Sequence, residues 1–216
     1  MQRFFDLLFS IFSIIILSPI LIIIIIILSL SGEKKIFYLQ KRVGKMKKIF
    51  FLYKFVTMLE NSPNIGTGDI TIVNDPRVLP FGKFLRKFKL NELPQLINVM
   101  KGEMSLVGPR PLTVNAYNNY SLKDQEVIMR LTPGLSGVGS IYFSDEEKFY
   151  ESKENVNVIQ SQILSHKAKL EKWYSENLSI KTYFIVIFST LLLFLFKKKK
   201  VFKYFFPRHL INRDIF

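Results

Sequence analysis

The stretch FLRKFKLNELPQLINVMKGEMSLVGPRP, Phe84 to Pro111, places three local patterns side by side. Its first part is basic, with Arg86, Lys87 and Lys89, and continues a run that begins at Arg77 and Lys83. From Leu93 the apolar residues Leu93, Leu96, Ile97 and Met100 fall at i, i+3, i+4 and i+7, which is one face of an α-helix. Asn91 suits the cap of that helix, Pro94 its first turn, and Lys101-Gly102 its stop. Met104 to Val107 is a short apolar run, and Gly108-Pro109-Arg110-Pro111 turns the chain sharply. A helix set between extended segments predicts a small α/β domain.

Upstream, residues 36 to 60 read as strand-like and aromatic-rich around a turn at Gly44, and 61 to 69 as a loop with Pro63, Gly66 and Gly68. Downstream, Leu122 to Arg130 reads as a helix, Thr132-Pro133-Gly134 as the start of a loop, and Lys153 to Asn177 as a surface helix. Two apolar runs lie near the ends. The first, Leu7 to Leu30, carries no charge and is long enough to cross a hydrocarbon core of roughly 30 Å. A single span is one reading. Ser18-Pro19 supports another, because proline inside a helix removes a hydrogen bond and breaks or kinks it. Two half-helices would then form a re-entrant hairpin, with Ser18 helping to satisfy the freed backbone groups. The basic residues Lys34, Lys35, Lys41, Arg42, Lys45, Lys47 and Lys48 keep the following chain on the cytoplasmic side. They also oppose a signal-peptide reading. The second run, Tyr183 to Phe196, is too short for an ordinary span and ends in Lys197 to Lys200. It is expected to be an interfacial or core-packed helix whose basic flank faces an anionic leaflet, with a second span as the alternative. Residues 1–33 are thus a membrane segment and 34–216 a cytoplasmic domain with interfacial helices.

The 216 residues carry a net charge of +14, so anionic partners are favoured. No cysteine is present, which excludes disulfides, thiol catalysis and Cys-zinc sites. His166 and His209 stand far from other candidate residues, so a Ser-His-Asp triad or a His metal site is not expected. Chemistry is left to carboxylates, Arg, Lys and backbone amides. Asn91-Glu92 stands where a helix start favours negative charge. Pro109 and Pro111 fix the backbone around Arg110 and aim a guanidinium fork suited to phosphate oxygens. Arg77 and Arg86 supply further positive charge. Each has a plainer structural reading: capping, a rigid turn, a solvated or lipid-facing basic face.

Read in order, Phe84 to Pro111 closely resembles the signature of the bacterial sugar transferases, the monotopic polyprenyl-phosphate phosphoglycosyltransferases. Gln40-Lys41-Arg42-Val43-Gly44, Tyr53-Lys54-Phe55 with Thr57-Met58, Asp75-Pro76-Arg77, Pro133-Gly134 and the Ser18-Pro19 segment extend the match from about Arg3 to Thr190. The chain lacks the extra N-terminal helices of larger members and so looks like the minimal form. The resemblance implies an enzyme at the cytoplasmic face of the inner membrane, acting in exopolysaccharide or lipopolysaccharide biosynthesis. With magnesium it would transfer a phosphosugar from a UDP-sugar to undecaprenyl phosphate and release UMP, through a covalent intermediate on an Asp. Glu92 matches the family's Glu, Arg110 its phosphate-binding Arg, and Arg77 and Arg86 its supporting basic positions. No metal ligands are assigned, and nucleic acid is not an expected partner. Three departures stand out: Asn91 at the nucleophile position, Val56 where an Arg is usual, and the acidic Asp145-Glu146-Glu147. The first leaves an inactive substrate-binding relative as the alternative.

Overall fold

A computed structural model describes residues 1–65, 75–144, 156–196 and 201–211. The chain opens with α1 (Gln2–Leu30), followed by the strands β1 (Phe37–Val43) and β2 (Ile49–Phe55). These two strands form the antiparallel hairpin expected around Gly44, pairing Arg42 with Phe50, Gln40 with Leu52 and Tyr38 with Lys54. Helices α2 (Pro80–Lys87) and α3 (Gln95–Lys101) come next, joined by a 3-10 turn over Leu90–Glu92. Strand β3 (Ser105–Val107) leads to α4 (Val114–Asn118) and α5 (Leu122–Arg130). Strand β4 (Gly134–Ser136) precedes α6 (Val138–Tyr142), α7 (Val156–Glu176), α8 (Ile180–Phe196) and α9 (Val201–Phe205). The mixed helix-and-strand class is as expected. Among the described residues, however, the strands make only two two-stranded ladders, so helices supply most of the frame.

The segment at 134, expected to open a loop, pairs in parallel with β3. Glycine permits this. A Cβ on Gly134 would meet Gly108 Cα at 2.6 Å, and one on Gly108 would meet Gly134 N at 2.9 Å. The Gly108-Pro109-Arg110-Pro111 turn and the Pro133-Gly134 corner are therefore interlocked backbones, tied by Gly108 N–H to Ser136 O and Gly134 N–H to Pro109 O, each 2.8 Å.

The start of α3 also differs from expectation. Lys89, in the left-handed region at φ 56°, closes α2 and turns the chain into the 3-10 turn, so Asn91 lies within that turn and caps nothing. The buried side of α3 is Gln95, Leu96, Asn98 and Val99, rather than the apolar set alone. Asn98 is fully buried because it completes the edge of β2. Its Oδ1 accepts from Tyr53 N–H at 3.0 Å, and its Nδ2 donates to Phe51 O at 2.8 Å and to Glu103 at 2.7 Å. One amide thereby takes the place of a neighbouring strand's backbone groups, satisfying an edge that would otherwise be left open.

Helix α1 is long and apolar enough to cross a membrane by length and composition. The two half-helices expected on either side of Ser18-Pro19 are joined in one helical element with Pro19 inside. Pro19 has no N–H for the Ile15 carbonyl four residues back, and Ser18 Oγ donates to that carbonyl instead at 2.8 Å. Both ends of α1 are docked. At the N-terminal end Arg3 donates to Val99 O and, at 2.7 Å, to Met100 O, closing the C-terminus of α3 with a positive charge. Asp6 is buried and accepts from Ser105 Oγ, Leu106 N–H and Tyr183 Oη. At the other end Ile24 and Leu28 pack with Phe55 and Leu85. Between them no residue from Ile11 to Leu21 is buried.

Helix α8 is core-packed on one side: Tyr183 and Val186 join Val107, Leu170 and Phe202 in the largest apolar cluster. Phe184, Phe188 and Leu191 on its other side are exposed. The Lys197–Lys200 flank, Asp145-Glu146-Glu147 and the loop glycines 66 and 68 lie outside the described residues.

Candidate active site

Three elements converge on one depression. Its lining includes Arg42, Leu52, Lys54, Gln95, Arg110 and Pro111. Strand alternation puts Arg42 on β1 and Leu52 and Lys54 on β2 on the same face of the hairpin. The 3-10 turn brings Glu92, and the interlocked turn brings Arg110, whose Nη2 donates to Glu92 Oε1 at 3.0 Å. Arg42 Nη1 donates to Pro111 O at 3.0 Å and its other arm reaches Gln40, so β1 itself holds the Pro109–Pro111 turn in place. An apolar groove with Val43, Tyr117, Ile128 and Pro133 adjoins the same Arg110.

The electrostatics are those of an anion site. Burial alone would push Glu92 up, but the charge and hydrogen bond of Arg110, with Lys54 and Lys89, outweigh it and hold the carboxyl at about 2. Glu92 is therefore ionised and paired. Lys54 is driven the other way, to about 7, first by burial and then by Arg42, against the attraction of Glu92. A buried lysine beside Arg42 regains its charge most readily when an anion enters the depression.

Of the residues singled out in the sequence, Glu92, Arg110, Pro109 and Pro111 belong to this constellation. Arg86, at the end of α2, is close enough for its charge to lower Lys54. Asn91 is 7% exposed, and its Oδ1 is a buried acceptor without a hydrogen-bond partner among the described residues. Arg77 is placed differently. It is buried and paired with Asp75 through Nε at 2.9 Å and Nη2 at 2.6 Å, and it donates to Ser62 O and Ile65 O. Its charge ties down the loop between β2 and α2 rather than presenting a fork to a ligand. Sequence reasoning leaves Arg42 and Lys54 out of the site. The signal is there, since residues 42, 52 and 54 share one face once the hairpin register is known, and a basic pair on a strand face needs an anion or a partner. Val56 is a buried apolar residue at the end of β2.

Magnesium, implied by the resemblance, meets a poor donor set. Among the described residues no three His, Cys, Asp or Glu side chains are grouped to hold a metal. Mg²⁺ wants hard, preferably anionic oxygens in an octahedron. Glu92 is already paired with Arg110, Asn91 offers a neutral amide oxygen, and Lys54 and Lys89 add positive charge close to Glu92. At about 4 Å and an effective dielectric near 20, a dication gains roughly 8 kcal/mol from a carboxylate, and an amide forfeits most of that.

The sequence profile described as bacterial sugar transferase matches residues 1–197, which cover the hairpin, the site and α8. The chain belongs to the bacterial sugar transferase family. Among its curated relatives, the undecaprenyl-phosphate galactose phosphotransferase of Salmonella typhimurium is 36% identical over 155 residues, 65% of this chain and 32% of that protein. The exopolysaccharide production protein ExoY of Sinorhizobium fredii is 35% identical over 154 residues, 65% of this chain and 68% of ExoY. The UDP-N-acetylgalactosamine-undecaprenyl-phosphate N-acetylgalactosaminephosphotransferase of Aeromonas hydrophila is 35% identical over 138 residues, 63% of this chain and 32% of that protein. The chain thus spans about a third of the length of several relatives that it matches. Within the bacterial sugar transferase frame, the turn at 108–111 aims Arg110 at Glu92 from a backbone that cannot move away.

Proposed function

We propose that this chain transfers a sugar 1-phosphate from a UDP-sugar to undecaprenyl phosphate and releases UMP, the first membrane step of a surface polysaccharide or glycan. The observation that carries this is the depression lined by Arg42, Lys54 and Arg110, with Arg110 hydrogen-bonded to the ionised Glu92 at its side. Fixed cations beside a carboxylate suit a diphosphate whose bridging bond is to be broken, because they stabilise charge as it develops on the departing UMP. Asn91 lacks the charge of a carboxylate nucleophile. In this chain Glu92 remains essential and turnover is slow. A second reading, a relative that binds the substrates and no longer turns them over, is favoured by the same Asn91. Release of UMP from a panel of UDP-sugars with polyprenyl phosphate separates the two: saturable binding without release establishes the second.

The membrane arrangement belongs to this reading. We infer a monotopic, re-entrant α1 bent at Pro19, in the inner membrane with the domain facing the cytoplasm. At 1.5 Å per residue a straight 29-residue helix is about 43 Å long. Both of its ends dock on one domain while Ile11, Phe12, Ile15 and Ile16 project unburied, which suits an apex inserted in lipid. The exposed side of α8 and the phenylalanines of α2, Phe84 with Phe88 just beyond, suit the interface beside it. In this cysteine-free chain, single cysteines at Gln2 and Lys35 should be labelled from the same side. Labelling from opposite sides establishes a span.

A further inference from the structure

We infer that the first turns of the long apolar helix α1 belong to the frame of the active site, with Arg3 and Asp6 as positioning residues that set Arg110 opposite Glu92. This rests on the proposed UDP-sugar chemistry and makes the seating of α1 a condition of the site's geometry.

Between Glu92 and Arg110 the chain runs out along α3, turns at Gly102 and returns along β3. The two side chains therefore lie at the open end of one helix-and-strand unit, where they meet at 3.0 Å. The start of α1 grips the closed end. Arg3 donates to Val99 O and, at 2.7 Å, to Met100 O, setting its charge on the last turn of α3, where the helix dipole favours a cation. Gly102 turns the chain in the left-handed region at φ 82°, and the Arg3 guanidinium lies 3.5 Å from the place a Cβ would take there.

Asp6 holds the other arm. One oxygen, Oδ1, accepts from Leu106 N–H at 2.9 Å, Ser105 Oγ at 3.0 Å and Tyr183 Oη at 2.8 Å, and the residue is 3% exposed. Ser105 N–H and Gly108 N–H go to Pro133 O and Ser136 O on the β4 side, each at 2.8 Å, so strand alternation points Leu106 N–H the opposite way. Asp6 fills that outer edge of β3, where a further strand would otherwise pair. Tyr183 brings α8 onto the same oxygen. Beyond Val107, β3 passes straight into the Gly108-Pro109-Arg110-Pro111 turn, which two prolines and the interlock with 133–136 keep stiff. Where β3 sits, Arg110 sits. An amide in place of Asp6 keeps the shape and loses the charge that strengthens all three bonds, so it loosens β3 without opening a cavity.

The test uses the full chain in detergent and UDP as the probe, with calorimetric affinities taken per folded molecule and thermal unfolding run alongside. A double-mutant cycle separates positioning from plain stability. Arg110→Lys should weaken UDP binding about 10-fold and Asp6→Asn about 5-fold. Because Asp6 acts through Arg110, the double variant should bind no more than about 2-fold more weakly than Arg110→Lys alone, whereas independent effects would multiply to about 50-fold. Arg3→Gln, at an exposed residue, gives a second cycle with the same expectation, and Arg3→Lys should restore affinity to within about 2-fold of the parent. An Asp6→Asn chain that melts earlier yet binds UDP as the parent does, or effects that multiply in both cycles, overturns the inference and leaves the proposed function standing. A parent chain that binds no UDP, or one indifferent to Arg110→Lys, overturns both.

Discussion

Replacing Lys54 by Met should make the protein more stable while disabling its site. Lys54 is held from 10.5 down to about 7, chiefly by burial and then by Arg42. At pH below 7 the side chain is charged in both the folded and unfolded chains, so the folded state bears the full cost, at most about 5 kcal/mol. Between 7 and 10.5 the unfolded chain carries the extra proton, so stability rises with pH, and above 10.5 the cost is gone. Methionine fills nearly the same volume without the charge. Some of the 5 kcal/mol is screened, because the lysine keeps partial contact with solvent, and some is returned when Glu92 loses one of its three cations. A net gain of about 2 kcal/mol is expected, or roughly 4–8 °C in thermal midpoint for a chain of this size. Thermal unfolding in detergent, run at pH about 6 and at pH about 10, reads it. The gain should be largest at the lower pH and fade at the higher. A variant no more stable than the parent at pH about 6, or a gain that ignores pH, would refute the account of Lys54 as a buried, destabilising cation.

Three further outcomes follow from the packing. Asn98→Asp keeps the acceptor for Tyr53 N–H but loses both donated bonds and sets a carboxylate against Glu103, so it should cost about 3 kcal/mol or more, and a midpoint shift under about 2 °C would remove the clamp on β2. Arg110→Lys keeps the charge and loses the fork, and UMP release should fall about 10-fold, with parental kinetics reducing Arg110 to a turn residue. Gly134→Ala forces a methyl group onto the Gly108 backbone and should cost about 3 kcal/mol in thermal unfolding while also slowing UMP release through displacement of Arg110; a stable, fully active variant would show that the interlock is slack.

Much of the local structure is legible in the sequence because its causes are local. The hairpin around Gly44, the helices at 95–101, 122–130 and 156–176, and the apolar α1 each follow from periodicity, turn residues or length. Asn91 reads as a cap and is none, because capping propensity says nothing about the left-handed turn at Lys89 that moves the helix start to Gln95. Arg77 reads as a cation open to a ligand for the same kind of reason: a charge in the sequence carries no record of Asp75 closing on it.

By itself the sequence determined the family signature, the candidate pair Asn91-Glu92, the Arg110 turn and the serine that serves the carbonyl freed by Pro19. Those depend on residue identity over a few positions, where covalent geometry and backbone hydrogen bonding leave little choice. Tertiary structure alone decided that 108–111 locks against 133–137, that Asp6 ties α1 to α8, and that Arg42 and Lys54 line one depression with Arg110. Those partners are tens of residues or more apart along the chain, and their meeting is fixed by close backbone approach and shared burial, which no local pattern encodes.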